Sequence, residues 1–170
     1  MNIKYYYFID EFNKNEIEKL STQISLIYRN YNNKNNPNEL KKLVIHCKIN
    51  RRKVYISNNL KDAIKYNFDG LYIPSFHKQQ SFQNITKKNL ELIGSAHNAS
   101  ELIIKEKQGC SRIFLSPVFK NNKNKKFLDV IKTNLLKKLT KNQIVLLGGI
   151  NQKTIKRTKL CTARGIASIS

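Results

Sequence analysis

Acidic residues are scarce in this chain: 11 Asp and Glu stand against 32 Lys and Arg, leaving a formal charge of +21 at neutral pH. So basic a protein directs attention to anionic partners, nucleic acid first and phosphorylated small molecules second. The cations, however, are spread through every predicted helix and loop among many Asn and Ile residues. That distribution argues against a focused nucleic-acid patch and suits solvated faces or a phosphorylated substrate. Cysteine is sparse as well. Cys47, Cys110 and Cys161 are far apart with no CxxC spacing, which fits reduced cytosolic thiols better than a disulfide framework or a zinc site. Long hydrophobic runs are missing. The N-terminal MNIKYYYFIDEF is too short for a secretory core and meets Asp10 and Glu11 at once, so the reading is a cytoplasmic protein without a membrane segment. No GxGxxG follows a strand and no GxxxxGK[ST] occurs, which weakens nucleotide-binding open sheets.

What is present is an alternation of short apolar runs and helix caps. The clearest stretch, Leu92 to Phe119, reads as strand, helix, strand. Leu92 and Ile93 run into Gly94, Ser95 and His97; Asn98 caps a helix with Glu101 at the capping-box position, and Gly109 ends it. Ile113, Phe114 and Leu115 follow as an apolar run without alternation, the signature of a strand buried on both faces. The same grammar repeats along the chain. Tyr5 to Ile9 and Ile24 to Tyr28 are strands, with a helix capped by Asn13 between them. Asn36, Pro37 and Glu39 open a helix whose inner face is Leu40, Leu43, Val44 and Cys47, leaving His46 solvated. Lys53 to Ile56, Gly70 to Ile73, Ile144 to Leu147 and Gly165 to Ser170 complete eight strands. Leu60, Ala63 and Ile64 form the inner face of one intervening helix, and Phe127, Val130, Ile131 and Leu135 mark another. Residues 75–90 show no period, and Asn151 can cap the helix after the seventh strand.

Parallel strands joined by helices, about eight in number, close into a (β/α)8 TIM barrel rather than an open doubly wound sheet. We read 170 residues as a single domain over 1–170, short for such a barrel, which typically needs about 250, and lacking the last helix. In a barrel the C-terminal strand ends share one face, so Arg29, Asn58, Tyr72, His77, Ser95, His97, Ser116, Gly148, Gly149 and Ser168 become neighbours. Each has a plainer explanation too. Ser57, Asn58 and Asn98 can simply cap helices. Gly148-Gly149 is either a phosphate-binding loop or a tight turn. His97 is a proton-transfer group or a structural residue, and Arg29 pairs with a substrate phosphate or with Asp10. Lys120, Lys123, Lys125 and Lys126 shield phosphates or are solvated.

Several segments in order, ISLIYR, ISNNLKDAIKYNFDGLYI, IGSAHNASE, IFLSPVF, IVLLGGI and GIASIS, resemble the thiamine phosphate synthase and TenI (thiazole tautomerase) family of small TIM barrels. The resemblance implies a thiamine biosynthesis protein. Its synthases are transferases that join hydroxymethylpyrimidine diphosphate to thiazole phosphate, releasing pyrophosphate with Mg2+; its tautomerases move a proton on thiazole phosphate with a histidine. It implies catalytic roles for Arg29, Ser95 and His97. It also implies substrate contacts at Asn58, Tyr72, Asn121, Lys123, Gly148, Gly149 and Ser168. Ile27 and Tyr31 replace a glutamine and a lysine that flank the family arginine, and Asn121 replaces a threonine. The two aspartates expected to hold Mg2+ fall at Asn58 and His77, and an amide and an imidazole are poor ligands for a hard cation. The lead expectation is a synthase-like enzyme on phosphorylated substrates. The alternatives are a metal-independent tautomerase, a decayed binder of thiamine precursors and, last, a nucleic-acid binder.

Overall fold

The computed structural model describes residues 3–30, 36–79, 82, 90–121 and 126–169. Eight parallel strands close in sequence order: β1 (Lys4–Ile9), β2 (Ile24–Tyr28), β3 (Val54–Ser57), β4 (Gly70–Ile73), β5 (Glu91–Ala96), β6 (Arg112–Leu115), β7 (Gln143–Leu147) and β8 (Gly165–Ile169). Closure is made by β8 pairing with β1, Tyr6 opposite Ala167 and Phe8 opposite Ile169. Outside run helices α1 (Lys14–Glu18), α2 (Pro37–Ile49), α3 (Leu60–Lys65), α4 (Ala99–Lys107) and α5 (Asp129–Lys138), and a 3-10 helix (Ile155–Leu160). Among the described residues no helix is long and apolar enough to cross a membrane.

Two apolar sets hold the barrel. Odd-numbered and even-numbered positions on each strand alternate between them, because successive side chains on a strand point to opposite faces. The inner set is Tyr6, Phe8, Ile27, Tyr55, Tyr72, Ile93, Phe114, Val145, Leu147 and Ala167. Phe114 is its hub, with ring centroids 4.9 Å from Tyr6, 5.6 Å from Tyr72 and 6.1 Å from Phe8, all edge-on. Such edge-to-face pairs each add about 0.5–1.5 kcal/mol beyond burial. Gly70 makes room for the stack: a Cβ there would lie 2.1 Å from the Glu91 carbonyl and 2.7 Å from the Tyr55 ring. The outer set, including Leu26, Leu43, Val44, Ile56, Leu102 and Ile113, lies between strands and helices.

Local signals act as read at several helix starts. Asn13, Asn36, Asn59 and Asn98 accept from the N–H groups of Glu16, Asn38, Asp62 and Glu101 respectively. Three readings are corrected. In α3 Ala63 is buried but Ile64, read as inward, is exposed. Asn151 caps a turn, accepting from the N–H groups of Lys153 and Thr154, and a 3-10 helix rather than an α-helix follows. His46 is half-buried against the Phe12 ring, at 5.7 Å.

All three cysteines are reduced and buried. Burial pushes the Cys47 and Cys110 thiols up to about 12 from an ordinary value of 9.0. Between those values the folded chain keeps protons that the unfolded chain loses, so these thiols stabilise the fold below pH 9 and that contribution is lost as pH rises toward 12. Urea midpoints measured between pH 9 and about pH 11 are expected to fall less steeply in Cys47→Ala than in the wild type. Equal slopes would contradict this assignment.

Candidate active site

The polar rim lies where the strands end. Backbone bonds stitch neighbouring loops together there: the Arg29 N–H donates to the Ile9 carbonyl at 2.7 Å, Asn58 to Tyr72 at 2.9 Å, Ser116 to Ala96 at 3.2 Å and Phe119 to Gly148 at 3.1 Å. These bonds join the end of β1 to that of β2, β3 to β4, and β6 to both β5 and β7.

His97, just past β5, is the best-defined group on it. Its Nδ1 lies 2.5 Å from the Ser116 carbonyl oxygen, and its Nε2 lies 3.0 Å from the Ser75 hydroxyl. A carbonyl only accepts, so Nδ1 carries the proton and the Nε2 lone pair accepts from Ser75. The Glu101 carboxylate accepts from the His97 N–H at 2.8 Å, which ties the residue to the first turn of α4. The imidazole is exposed and Ser75 half-buried, so a molecule in the mouth can reach both.

Ser75 sits in the loop after β4, and a buried lysine fixes that loop. The Lys105 ammonium, on the inner side of α4, donates to the His77 carbonyl at 2.8 Å and to Gln108 Oε1 at 2.9 Å. Gln108 Nε2 donates to the carbonyls of His77 and Gln79 at 3.0 and 2.6 Å. Burial lowers the Lys105 pKa to about 8, partly offset by Cys110 and Glu101. Sequence reading missed Ser75 and Lys105. The available signal was a lysine three residues after Leu102, on the stripe that faces the barrel.

The two expected Mg2+ positions bind one another. His77 Nδ1 and Asn58 Oδ1 are 2.6 Å apart. Burial, then the Lys105 charge, lowers the His77 pKa, which favours the neutral ring with Nδ1–H donating to the amide oxygen. The nitrogen facing Asn58 therefore has no lone pair to offer, and His77 Nε2 is buried near the Phe82 ring. Among the described residues no group of three His, Cys, Asp or Glu side chains could hold a metal ion. These residues do not fit Mg2+. Asn58 is at φ +54°, a left-handed position that asparagine tolerates, and Asn59 rather than Ser57 or Asn58 caps α3.

The remaining expected residues divide. Ser95, two positions beyond Ile93 on the inward face of β5, is buried at the top of the barrel. Tyr72 lies deeper, in the ring stack, 5.2 Å from Phe8. The Arg29 guanidinium is 4.6 Å above the Phe8 ring. Asn121 is half-buried beyond the sixth strand, Lys120 and Lys126 are exposed, and Lys123 and Lys125 lie outside the described residues. Ser168 is not brought to the mouth. It pairs in register with Tyr7, which packs in the outer cluster, while its neighbour Ala167 points inward. One step in register parity turns it away from the site.

Gly148 and Gly149 both have positive φ, +86° and +73°. A Cβ on Gly149 would stand 2.2 Å from the Phe119 carbonyl oxygen. The diglycine thus lets the loops after β6 and β7 touch, and the Gly149 carbonyl accepts from Thr154 at 2.7 Å.

The sequence profile of the family described as thiamine monophosphate synthase matches residues 17–170. Among solved structures, a thiamine phosphate pyrophosphorylase from Pyrococcus furiosus superimposes with a TM-score of 0.76 at 19% identity, covering 99% of this chain and 86% of that one. FabK from Thermotoga maritima superimposes at 0.71 with 9% identity, covering 99% of this chain and 58% of its own. At such identities the superpositions speak for the barrel alone. A sequence comparison with curated proteins finds no significant match.

Two outcomes test the site. Gly149→Ala is expected to lower stability by about 1–3 kcal/mol in urea unfolding, through left-handed strain and the Phe119 clash; an unchanged midpoint would refute the close approach. Calorimetry with Mg2+ is expected to show no binding by the wild type and a gain in the double variant Asn58→Asp, His77→Asp. Wild-type binding that the double variant does not improve would overturn the reading of these two positions.

Proposed function

Because the chain belongs to the thiamine monophosphate synthase family, we propose that it acts in thiamine biosynthesis on a phosphorylated thiazole, moving a proton without a metal. The observation that carries this reading is the His97 arrangement: one ring nitrogen anchored on the Ser116 carbonyl, the other presented with Ser75 to the open mouth.

His97 Nε2 takes a proton from one position of the heterocycle while the ring electrons shift, and the imidazolium returns it at another position. Substrate and product are isomers, so no co-reactant is needed. The Ser116 carbonyl accepts from Nδ1–H throughout and stabilises the imidazolium, and Ser75 holds the ring plane and can donate to the substrate when Nε2 is protonated. The phosphate has a seat in the Gly148-Gly149 turn, where glycine permits close approach of backbone N–H groups. Arg29, Lys120 and Lys126 supply positive charge on the same rim.

A second reading, the condensation of a pyrimidine diphosphate with the thiazole phosphate, is favoured by the family description. In that case Arg29 and the loop lysines hold the departing diphosphate and Ser95 orients the pyrimidine ring. The pairing of Asn58 with His77 favours the first reading.

Deuterium uptake by thiazole phosphate in D2O, followed by mass spectrometry, separates them. His97→Ala is expected to slow uptake by about 100-fold or more and Ser75→Ala by about 10-fold, with no effect of a chelator on the wild type. An unchanged rate in His97→Ala would refute the proton-transfer reading. Product formed only when both phosphorylated precursors are supplied would establish the condensation instead.

A further inference from the structure

The opposite mouth of the barrel, at the N-terminal strand ends, holds a cavity of about 370 Å3. Its lining brings together Lys4 of β1, Arg51 and Lys53 from the turn before β3, and Arg112 of β6, above the rings of Tyr6 and Tyr55. The sequence spreads these cations over more than a hundred positions, and only barrel closure makes them one cluster.

One carboxylate answers four cations. Glu91 pairs with Arg112, lies 3.3 Å from Lys53 Nζ, and also accepts from the Tyr55 hydroxyl at 2.8 Å and the Ser111 hydroxyl at 3.0 Å. Among the described residues Lys4 and Arg51 have no salt-bridge partner. Like charges gathered at a partly desolvated mouth repel one another, and an anion relieves that cost.

The wall is held in place before any ligand arrives. Arg52, itself buried, donates to the carbonyls of Ile17, Leu20 and Ile24 at 3.2, 2.9 and 3.0 Å. It thereby pins the segment carrying Thr22 and Gln23, two lining residues with donors to offer. Arg51, its neighbour, takes the other direction and sits at φ +51°. That left-handed residue closes the C-terminus of α2, with the Arg51 and Arg52 N–H groups donating to the Lys48 and Cys47 carbonyls at 3.0 and 2.8 Å, a turn that glycine or asparagine would make at lower cost than arginine.

We propose that this mouth is a second anion site, separate from the catalytic rim, that binds a di- or triphosphate group, free or carried on a nucleotide. Three unmatched positive charges fit such a group, and the volume suits a small organic phosphate. The four cations face it from three separate segments, and Glu91 is the carboxylate it displaces from Lys53.

The test is titration of the full chain with inorganic pyrophosphate, and separately with ADP, at about 0.15 M salt. Binding is read by calorimetry and by amide NMR shifts. The expected result is shifts at Thr22, Gln23, Arg51 and Lys53 as well as any at Gly148 and Gly149. Arg51→Gly is expected to weaken the first set about 10-fold while leaving the second set unchanged. Because glycine relaxes the left-handed turn, the same variant should unfold no earlier than the wild type, which separates lost binding from lost structure. Lys53→Gln gives an independent check with the same expected loss. The preference between pyrophosphate and ADP at this mouth identifies the source of the phosphate. Shifts confined to the catalytic rim, or equal affinity in wild type and Arg51→Gly, would overturn the proposal. So would an oligonucleotide that binds more tightly and moves the same amides, since the surface would then belong to nucleic acid.

Discussion

The edge-on packing of Phe114 against Tyr6, Phe8 and Tyr72 is the contact on which the molecule depends. An eight-stranded parallel barrel has an interior just wide enough for side chains, and unless they fill it the strands have nothing to wrap. Here aromatic rings do most of the filling, with Gly70 and Ala167 as the small counterparts that let large neighbours in. A solid interior pushes all chemistry to the two ends. The C-terminal end gathers histidines, serines and glycines; the N-terminal end gathers cations around Glu91.

Much of this was legible before any coordinates. Caps such as Asn13, Asn98 and Glu101 announce helices because their side chains satisfy N–H groups that the first turn leaves open. Apolar runs such as Ile113 to Leu115 announce strands buried on both faces, and eight of them in alternation with helices imply closure. The misses have equally local causes. Ile64 is apolar yet exposed beside the buried Ala63, so the rotation of a helix as short as α3 depends on what it packs against. Ser168 fails by parity, which no single strand sequence reveals without the register of its partner. Ser75 and Lys105 were hidden because their roles come from contacts with residues 22 and 28 positions away.

The two histidines of the rim show how position sets chemistry. His97 and His77 each direct Nδ1 toward an oxygen, one a backbone carbonyl and the other the Asn58 amide. They differ at the second nitrogen. In His97 it faces a hydroxyl and the open mouth, whereas in His77 it is buried beside an aromatic ring. Where the family resemblance implied a pair of carboxylates around a cation, this chain has a neutral cross-link between the loops after β3 and β4. The same two positions hold those loops together by a hydrogen bond instead of through an ion.

The lysine under the β4 loop has one more consequence. Its acceptors, a peptide carbonyl and an amide oxygen, are uncharged, and an uncharged amine still has two hydrogens to give them. The tether therefore survives its own titration near pH 8. Ser75 keeps its place on alkalinisation, so the loop behaves as a strut whose grip is indifferent to acidity.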